Sequence, residues 1–236
     1  MITFFLFFTS FLFAVDTKEI VVATESWHGA TNRDGTGLYW DIVEEIYAPL
    51  GYKIVKKHTS YSKATEMVQY KNADLWLGSY KDEKKFAQYP KYYFDQDVIT
   101  ALFSTDNIEE WEGQETLEGL KVGWIRGYDF DKYLSFDVIK EEINERISAF
   151  KLLKGSRIDV YLEDKKDLDR GIEKYRFPME DFVKKVIMQL KIYPAFAKTK
   201  KGQILLKQWD KRMAKLIKTR KFQEIYFNSG YTLFPY

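Results

Sequence analysis

The stretch DVITALFS at residues 97–104 constrains the fold of this chain more than any other. It is a short apolar run rich in β-formers, which predicts a strand buried on both faces. An α/β unit precedes it, a second one opens at residues 120–127, and a similar strand, KIYPAFAKT, follows at residues 191–199. One strand that leaves a lobe and another that returns to it predict two lobes joined by a two-stranded hinge.

Predicted strands and helices alternate on both sides of this stretch. The predicted strands are at residues 20–24, 52–58, 74–78, 121–125 and 158–162. The predicted helices are at residues 38–50, 145–154, 204–217 and 221–228, with one more that Ser60 or Ser62 would cap. Asp129 is placed to cap a further helix that holds Tyr133 and Leu134. Such alternation indicates parallel βαβ units, so we expect an α/β fold in which each lobe is a mostly parallel sheet flanked by helices.

The chain has 236 residues, which is enough for two domains of ordinary size. We expect a first lobe of residues 16–102 plus 193–236 and a second lobe of residues 103–192. Residues 1–14, MITFFLFFTSFLFA, carry no charge and are too few to span a bilayer as a helix. They fit the apolar core of a signal peptide cleaved after Ala14, although the usual basic residues before it are missing. We therefore expect an exported, soluble protein, with an uncleaved anchor as the alternative.

The composition excludes several classes of function. The formal net charge is +2, from 37 basic and 35 acidic residues that are interspersed, which argues against a nucleic-acid surface. The absence of cysteine excludes disulfides, thiolate metal sites and cysteine nucleophiles. The only histidines, His28 and His58, lack the spacing of a metal pair, and the common catalytic motifs are absent. We expect no metal and no cofactor; the 17% of aromatic residues suits either core packing or stacking on a ligand.

Six motifs carry a resemblance to a known family. In chain order they are GLYWDIVEEIYAPLG at 37–51, NADLWLG at 72–78, the tyrosine pair at 92–93 before VITALF, LEGLKVGWIRG at 117–127, KGSRIDVYLED at 154–164, and KFQEIYFNSG at 221–230. They resemble, in the same order, the motifs of type 2 periplasmic solute-binding proteins, in the branch associated with amino-acid uptake. The resemblance covers nearly the whole chain after the signal segment.

The resemblance implies a monomer in the periplasm that closes two lobes around a small polar solute, an amino acid or an amine-like molecule. It also implies delivery of that solute to an ABC-type membrane permease. Trp27 and Tyr61 match aromatic platforms beneath the ligand, and Asp164 matches the carboxylate that holds a ligand ammonium. The backbone at Tyr128 and Asp129 matches a helix N-terminus that receives a ligand carboxylate. The expected ligand-binding residues are Trp27, Tyr61, Tyr80, Arg126, Tyr128, Asp129 and Asp164.

Two departures from the family pattern bear on the ligand. The family has an arginine after its third strand, which grips the ligand carboxylate, whereas residues 78–85 here read GSYKDEKK. Lysine can neutralise a carboxylate but cannot bind it in a bidentate manner. Tyr128 and Asp129 stand where the family has a small hydroxyl residue, and an acid there would repel an anionic group. A cationic, zwitterionic or neutral ligand between aromatic faces therefore competes with an ordinary amino acid.

Two other functions remain open from the sequence. The first is a lyase or dehydratase on the same fold, with Glu25, Glu163 or Asp164 as its acid or base. The second is a receptor that presents its ligand-bound form to a separate membrane sensor. Both share the expected cleft and differ from a transport protein in the step after ligand binding.

Overall fold

A computed structural model of the protein describes residues 18–231 and 234–236. The strands are β1 (Lys18–Thr24), β2 (Tyr52–His58), β3 (Leu75–Tyr80), β4 (Ala87–Gln88), β5 (Asp95–Ser104), β6 (Lys121–Ile125), β7 (Ile139–Ile143), β8 (Val160–Asp164) and β9 (Phe182–Ala197). The α-helices are α1 (Leu38–Tyr47), α2 (Tyr61–Gln69), α3 (Arg146–Lys154), α4 (Lys165–Tyr175), α5 (Lys200–Leu216) and α6 (Arg220–Asn228). The expected signal peptide at residues 1–14 lies outside the described residues.

The strands join into one sheet with the order β2-β1-β3-β9-β5-β8-β6-β7, and β4 pairs with β9. On one side of the pair formed by β5 and β9, β1 runs parallel to β2 and β3. On the other side, β6 runs parallel to β7 and β8. Helices α1 and α2 pack on the first group of strands, and α5 packs on α1 and β9. Helices α3 and α4 pack on the second group. The two-lobed α/β fold class expected from the sequence is therefore confirmed.

Strands β5 and β9 connect the two lobes. They pair antiparallel over ten positions, from Asp95 opposite Ile192 to Ser104 opposite Phe182. Beyond this pairing β9 continues alongside β3, and β5 pairs with β8 in the second lobe. The two long antiparallel strands are the hinge that the sequence predicts. The lobe limits of residues 16–102 plus 193–236 and 103–192 remain a proposal.

The returning strand β9 is longer than predicted. It begins at Phe182, nine residues before the expected start at residue 191. The additional residues, FVKKVIMQL, are exposed or half-buried, so they lack the apolar run that identified residues 191–199. Strand β7 and helix α4 were missed for a similar reason. The sequence of β7 is IKEEI, and only Leu168 and Gly171 of α4 are buried.

The predicted helix after Asp129 is wrong. The structure has only one turn of 3-10 helix there, Phe130–Tyr133. Asp129 precedes the turn with a left-handed φ of 51°, and its side chain makes no capping hydrogen bond. Its carboxylate is instead bound by two lysines, Lys84 and Lys132. The cap expected before α2 is supplied by Ser60, whose Oγ accepts from the backbone N–H of Lys63.

Large aromatic residues fill the core between the sheet and its helices. Trp40 on α1, Trp76 on β3, Trp124 on β6 and Trp209 on α5 are all fully buried. Burial of residues of this size supplies much of the hydrophobic free energy of folding, so most of the high aromatic content serves packing. Within residues 18–231 and 234–236, no helix combines the length and the apolar character needed to cross a bilayer.

Candidate functional site

A cleft lies between the lobes, where β1, β6 and β8 end. Its empty volume is about 600 Å³, including space that is open to solvent. The cavity volume that can be compared with other ligand pockets is only about 50 Å³, so the cleft is nearly closed in this structure. Ligands of α/β proteins commonly bind outside the carboxyl ends of strands, where this cleft lies. The expected binding residues that line it are Trp27, Tyr61, Tyr80, Tyr128 and Asp164. Arg126 and Asp129 do not line the cleft.

Trp27 reaches the cleft because β3 has a glycine beneath the indole ring. Gly78 has a φ of +84°, and a Cβ added there would lie 2.4 Å from Cη2 of Trp27. Only glycine allows both this backbone conformation and this close approach. The ring also packs against Tyr39 and Tyr61, with centroids 6.3 and 6.2 Å away. Its Nε1 donates to the hydroxyl of Tyr128 at 3.2 Å, which links the first lobe to the second.

Tyr61 and Tyr128 meet across the cleft. Their rings form an edge-to-face pair with centroids 5.3 Å apart. The Tyr61 hydroxyl donates to Glu83 at 2.6 Å, and burial, together with this carboxylate, raises the pKa of Tyr61 well above its ordinary value. Both rings line the cleft, and Tyr61 is held in place by a partner outside it. They can offer apolar and π surface to a ligand.

Arg126 and Asp129 lie where the lobes meet, and Asp129 is buried there. Arg126 is exposed; its guanidinium donates to Asn144 and contacts Glu142. The carboxylate of Asp129 lies 2.6 Å from the ammonium groups of both Lys84 and Lys132. Burial opposes ionisation of Asp129, but the hydrogen bonds from these lysines outweigh it and lower the pKa. Because Lys84 belongs to the first lobe, its pair with Asp129 spans the cleft.

A second ion pair across the cleft involves a residue that the sequence reasoning missed. Arg146, the first residue of α3, donates from Nε to Glu163 at 2.9 Å and from Nη1 to Glu25 at 2.7 Å. Its Nη2 donates to the Tyr128 hydroxyl at 2.7 Å and to Asp167 at 3.1 Å. Glu25 lies in the first lobe and the other partners lie in the second. We call this group of Arg146 with Glu25, Glu163 and Asp167 the latch end of the cleft.

The acidity of Glu163 follows from its place at the latch end. The residue is only 1% exposed. Burial raises its pKa from an ordinary value of 4.5 to about 7, although the guanidinium of Arg146 acts in the opposite direction. Tyr161 also donates a hydrogen bond to this carboxylate at 2.7 Å. Glu163 is therefore a carboxyl group that can exchange a proton near neutral pH.

Three further carboxylates lie at the hinge strand β5 and the end of β8, where Asp97 and Asp164 line the cleft and Asp95 does not. We call Asp97, Asp164 and Lys166 the hinge end of the cleft, and Asp95 lies beside it. The carboxylate of Asp97 accepts from the Tyr80 hydroxyl at 2.8 Å, and that of Asp95 accepts from the Tyr39 hydroxyl at 3.0 Å. Burial raises the pKa of all three acids.

Asp164 has a structural task at the hinge end. Its Oδ2 accepts from the backbone N–H of Lys166 at 2.9 Å, which caps α4. Its Oδ1 accepts from the backbone N–H of Val98 at 3.1 Å, which ties α4 to β5. The residue that resembles the family's ammonium-binding carboxylate thus lines the cleft while it also holds the hinge strand.

Several residues that line the cleft were not expected from the sequence. They include His28, Tyr39, Asp97, Lys166, Asp167, Arg170 and Tyr231. One signal was present for Asp97, because the sequence Asp-Gln-Asp at 95–97 puts two acids on the same face of a hinge strand. In the described part of the chain, no group of three or more acidic or histidine side chains is arranged to hold a metal ion.

The geometry defines a class of protein, a two-lobed binding fold with a lined cleft at its hinge. No protein-family model and no curated protein matches the sequence. The solved structures similar to it are mostly substrate-binding proteins of amino-acid ABC transporters. One of them, the substrate-binding protein of an ABC uptake transporter from Streptococcus pneumoniae with bound histidine, has a TM-score of 0.68 at 15% identity. This alignment covers 92% of this chain and 95% of that one.

Two other similar structures are related to a kinase sensor and to an enzyme. A histidine kinase sensor domain that resembles periplasmic binding proteins has a TM-score of 0.74 at 18% identity, over 93% of this chain and 100% of that one. An ancestral amino-acid-binding protein, a precursor of cyclohexadienyl dehydratase, has a TM-score of 0.64 at 16% identity, over 89% and 94%. The resemblance that the sequence motifs indicated is thus confirmed at the level of the fold. At these identities the fold does not decide the function.

Proposed function

We propose that this protein is a periplasmic solute-binding protein that captures a small polar solute between its lobes and delivers it to an ABC-type permease. The observation that carries the proposal is the cleft at the hinge, lined by aromatic rings and by more acidic than basic side chains. The acidic side chains are Asp97, Glu163, Asp164 and Asp167, and the basic ones are Lys166 and Arg170. A hinge of two strands lets such lobes close as rigid bodies.

The charge of the lining favours a ligand that bears at least one positive charge, an amino acid with a basic side chain or a simple amine. The lysines near β3 do not replace the missing arginine, since Lys84 is bound to Asp129 and none of the lysines at 81–85 lines the cleft. In this proposal Asp164 holds the cationic group, and Trp27 and Tyr61 offer their aromatic faces to it.

The remaining expected site residues form walls of the cleft or hold the two lobes together. Tyr80 and Tyr128 form walls, and Tyr128 also receives the hydrogen bonds from Trp27 and Arg146. Arg126 acts through its backbone carbonyl, which accepts from Ser62 Oγ across the cleft at 3.0 Å. Asp129 acts through its ion pair with Lys84. These contacts would form as the lobes close on a solute.

The test is calorimetry on purified protein from which any retained solute has been removed by partial unfolding and refolding. The panel is agmatine, putrescine, L-arginine, L-lysine, L-glutamine and L-aspartate. We expect dissociation constants of roughly micromolar or lower for at least one of the four cations, which corresponds to about −8 kcal/mol. L-aspartate should not bind. Binding of L-aspartate or L-glutamine alone would contradict the proposed charge of the ligand.

One observation favours an enzyme as a second candidate. A carboxyl group with a pKa of about 7 in a cleft, as Glu163 has, suits general acid–base catalysis at neutral pH. One structural neighbour is a precursor of a dehydratase. Mass spectrometry of each panel member after incubation with the protein distinguishes the two candidates. A solute-binding protein returns every compound unchanged, whereas an enzyme yields a product whose formation Glu163→Gln abolishes.

A receptor for a separate membrane sensor is the third candidate, and the likeness to a kinase sensor domain favours it. The two binding roles differ in what the loaded protein does at the membrane. Uptake of a radiolabelled panel compound by cells that lack this protein should return when purified protein is supplied to their periplasm. A restored transcriptional or kinase response without restored uptake would favour the receptor.

A further inference from the structure

We infer that Asp97 is a second ligand-binding carboxylate, which shares the cationic group of the solute with Asp164 and selects for an ammonium or guanidinium group at the hinge end of the cleft. This inference rests on the proposed function and assigns a binding residue on the hinge strand itself. The substrate class it implies is a small amine or guanidine whose cation points toward β5.

Asp97 accepts only one hydrogen bond from the described residues. Its side chain lines the cleft, and one of its oxygens accepts from the Tyr80 hydroxyl at 2.8 Å. Among residues 18–231 and 234–236, no other group donates to this carboxylate. An ionised carboxylate has about four acceptor sites on its two oxygens. Asp97 therefore presents an oxygen that a donor from a ligand can use.

Asp164 differs from Asp97 in its hydrogen bonding. Both oxygens of Asp164 are engaged with backbone N–H groups, one of them from Val98, the residue next to Asp97. The two carboxylates are thus neighbours at the same point of the hinge. The position of Asp164 is fixed by its two backbone partners. Asp97 provides the carboxylate with an unoccupied oxygen, so the two together can grip one cation with several donors.

The charged groups around Asp97 are mostly acidic. The charged groups that face it are Asp95 from the same strand, Asp164 from the end of β8 and Lys166 from α4. The neutral hydroxyls of Tyr80, Tyr39 and Tyr231 also face it. The ammonium of Lys166 lies 4.0 Å over the ring of Tyr231 and, within the described residues, forms no ion pair. Three acids therefore lie near one lysine, whose ammonium forms an ion pair with none of them among the described residues. A cation bound at Asp97 relieves this repulsion.

The experiment measures the binding of agmatine, putrescine, L-arginine and L-lysine to the wild type, Asp97→Asn and Asp95→Asn. Asparagine keeps the shape of aspartate and still accepts the hydrogen bond from Tyr80. We expect Asp97→Asn to weaken cation binding about ten- to a hundredfold, the loss of one charge-assisted hydrogen bond. Asp95→Asn is the matched control, because Asp95 is an acid on the same face of the same strand but does not line the cleft. Its effect should stay below about threefold.

The outcomes separate this inference from the proposed function. If the wild type binds a cation and Asp97→Asn binds it equally well, the inference is wrong and the proposed function stands. If the wild type binds none of the four cations, both are wrong. Equal losses in Asp97→Asn and Asp95→Asn would show an effect of charge at a distance and would also overturn direct contact.

A second variant keeps the inference testable if Asp97→Asn does not fold. Tyr80→Phe removes the only protein donor to Asp97 seen in the described residues and so favours the protonated acid. We expect Tyr80→Phe to lose more affinity for agmatine between pH 8 and pH 6 than the wild type does. An identical pH dependence in the two proteins would overturn the inference.

Discussion

The two ends of the cleft are built from the same kind of residue and differ in their neutralising partner. At the latch end, Glu25, Glu163 and Asp167 are all bound by the guanidinium of Arg146. At the hinge end, Asp97 and Asp164 are bound by hydroxyl and backbone donors, as is Asp95 beside them. A guanidinium has five donors in one plane and can satisfy several carboxylates at once. A neutral hydroxyl brings no positive charge to the acid that it binds.

This difference assigns different tasks to the two ends. At the latch end the protein provides its own cation, and because Glu25 belongs to the other lobe, the ion pairs hold the lobes together. At the hinge end the described residues supply no ion-paired cation, and in our proposal the cationic group of the ligand takes that place. A search of the sequence for carboxylates cannot separate these tasks, because both ends contain aspartate or glutamate next to apolar strands.

The largest effect should come from breaking the latch end. Arg146→Met leaves Glu25 and Glu163 without their cation. It leaves Asp167 paired only with Arg170 among the described residues. We expect the free energy of unfolding to fall by about 3 kcal/mol, because removal of one partner leaves a buried charge without a counter-charge. Urea denaturation followed by circular dichroism measures it. The matched control is Arg126→Met at an exposed arginine, with an expected change below about 0.5 kcal/mol. Similar losses in both variants would contradict the special role of the latch end.

The pH dependence of stability should sharpen the comparison. The pKa of Glu163 is about 7 in the folded protein and near 4.5 when unfolded, so the folded state binds more protons between these values. Stability should therefore fall as pH rises from 4.5 to 7, by up to about 3 kcal/mol. Urea denaturation at pH 5, 6, 7 and 8 measures this decline.

Other groups around Glu163 shape this profile. Arg146, Asp167, Tyr161 and Asp164 all face it. The acids of the hinge end and Asp95 beside them, whose pKa values are also raised by burial, act in the same direction. Glu163→Gln should therefore flatten the decline without removing it. A wild type that becomes more stable between pH 5 and pH 7 would contradict the raised pKa.

Binding should depend on the carboxylate and the ring that the family resemblance singled out. Asp164→Asn should weaken the binding of a cation about ten- to a hundredfold, and Trp27→Ala by a comparable factor. Asparagine is also a good helix N-cap, so α4 should stay intact in the first variant. Calorimetry gives the affinities, and melting temperatures check the fold. Wild-type affinity in Asp164→Asn would show that Asp164 only caps α4 and ties the hinge.

The smallest effect is the change of shape on closure. A compact chain of this length has a radius of gyration of about 17 Å, and closure of the lobes should reduce it by about 1 Å. X-ray scattering with and without saturating agmatine measures the difference. Glu25→Gln, which weakens the ion pair across the cleft, should enlarge the radius of the agmatine-free protein. If neither agmatine nor Glu25→Gln changes the radius of gyration, the protein is a rigid module.

Much of the fold was predictable because it follows from local patterns. The apolar run at residues 97–104 and the strand at 191–199 identified the hinge, and helical spacing identified α1 and α5. The elements that were missed, such as β7, carry charged residues whose pattern does not reveal a strand. The turn after Asp129 was misread as a helix, because the lysines that bind this acid could not be anticipated.

By itself the sequence determined the two-lobed α/β architecture and the aromatic residues at the ends of strands. Hydrophobic periodicity carries that information, since each strand or helix must bury one face. Only the tertiary structure decided that Arg146 neutralises one group of acids and that Asp97 faces the cleft. Arg146 lies 121 residues from Glu25, and no local pattern encodes a pairing at such a separation. Which carboxylates meet a cation depends on how the two lobes pack, and that is a property of the whole chain.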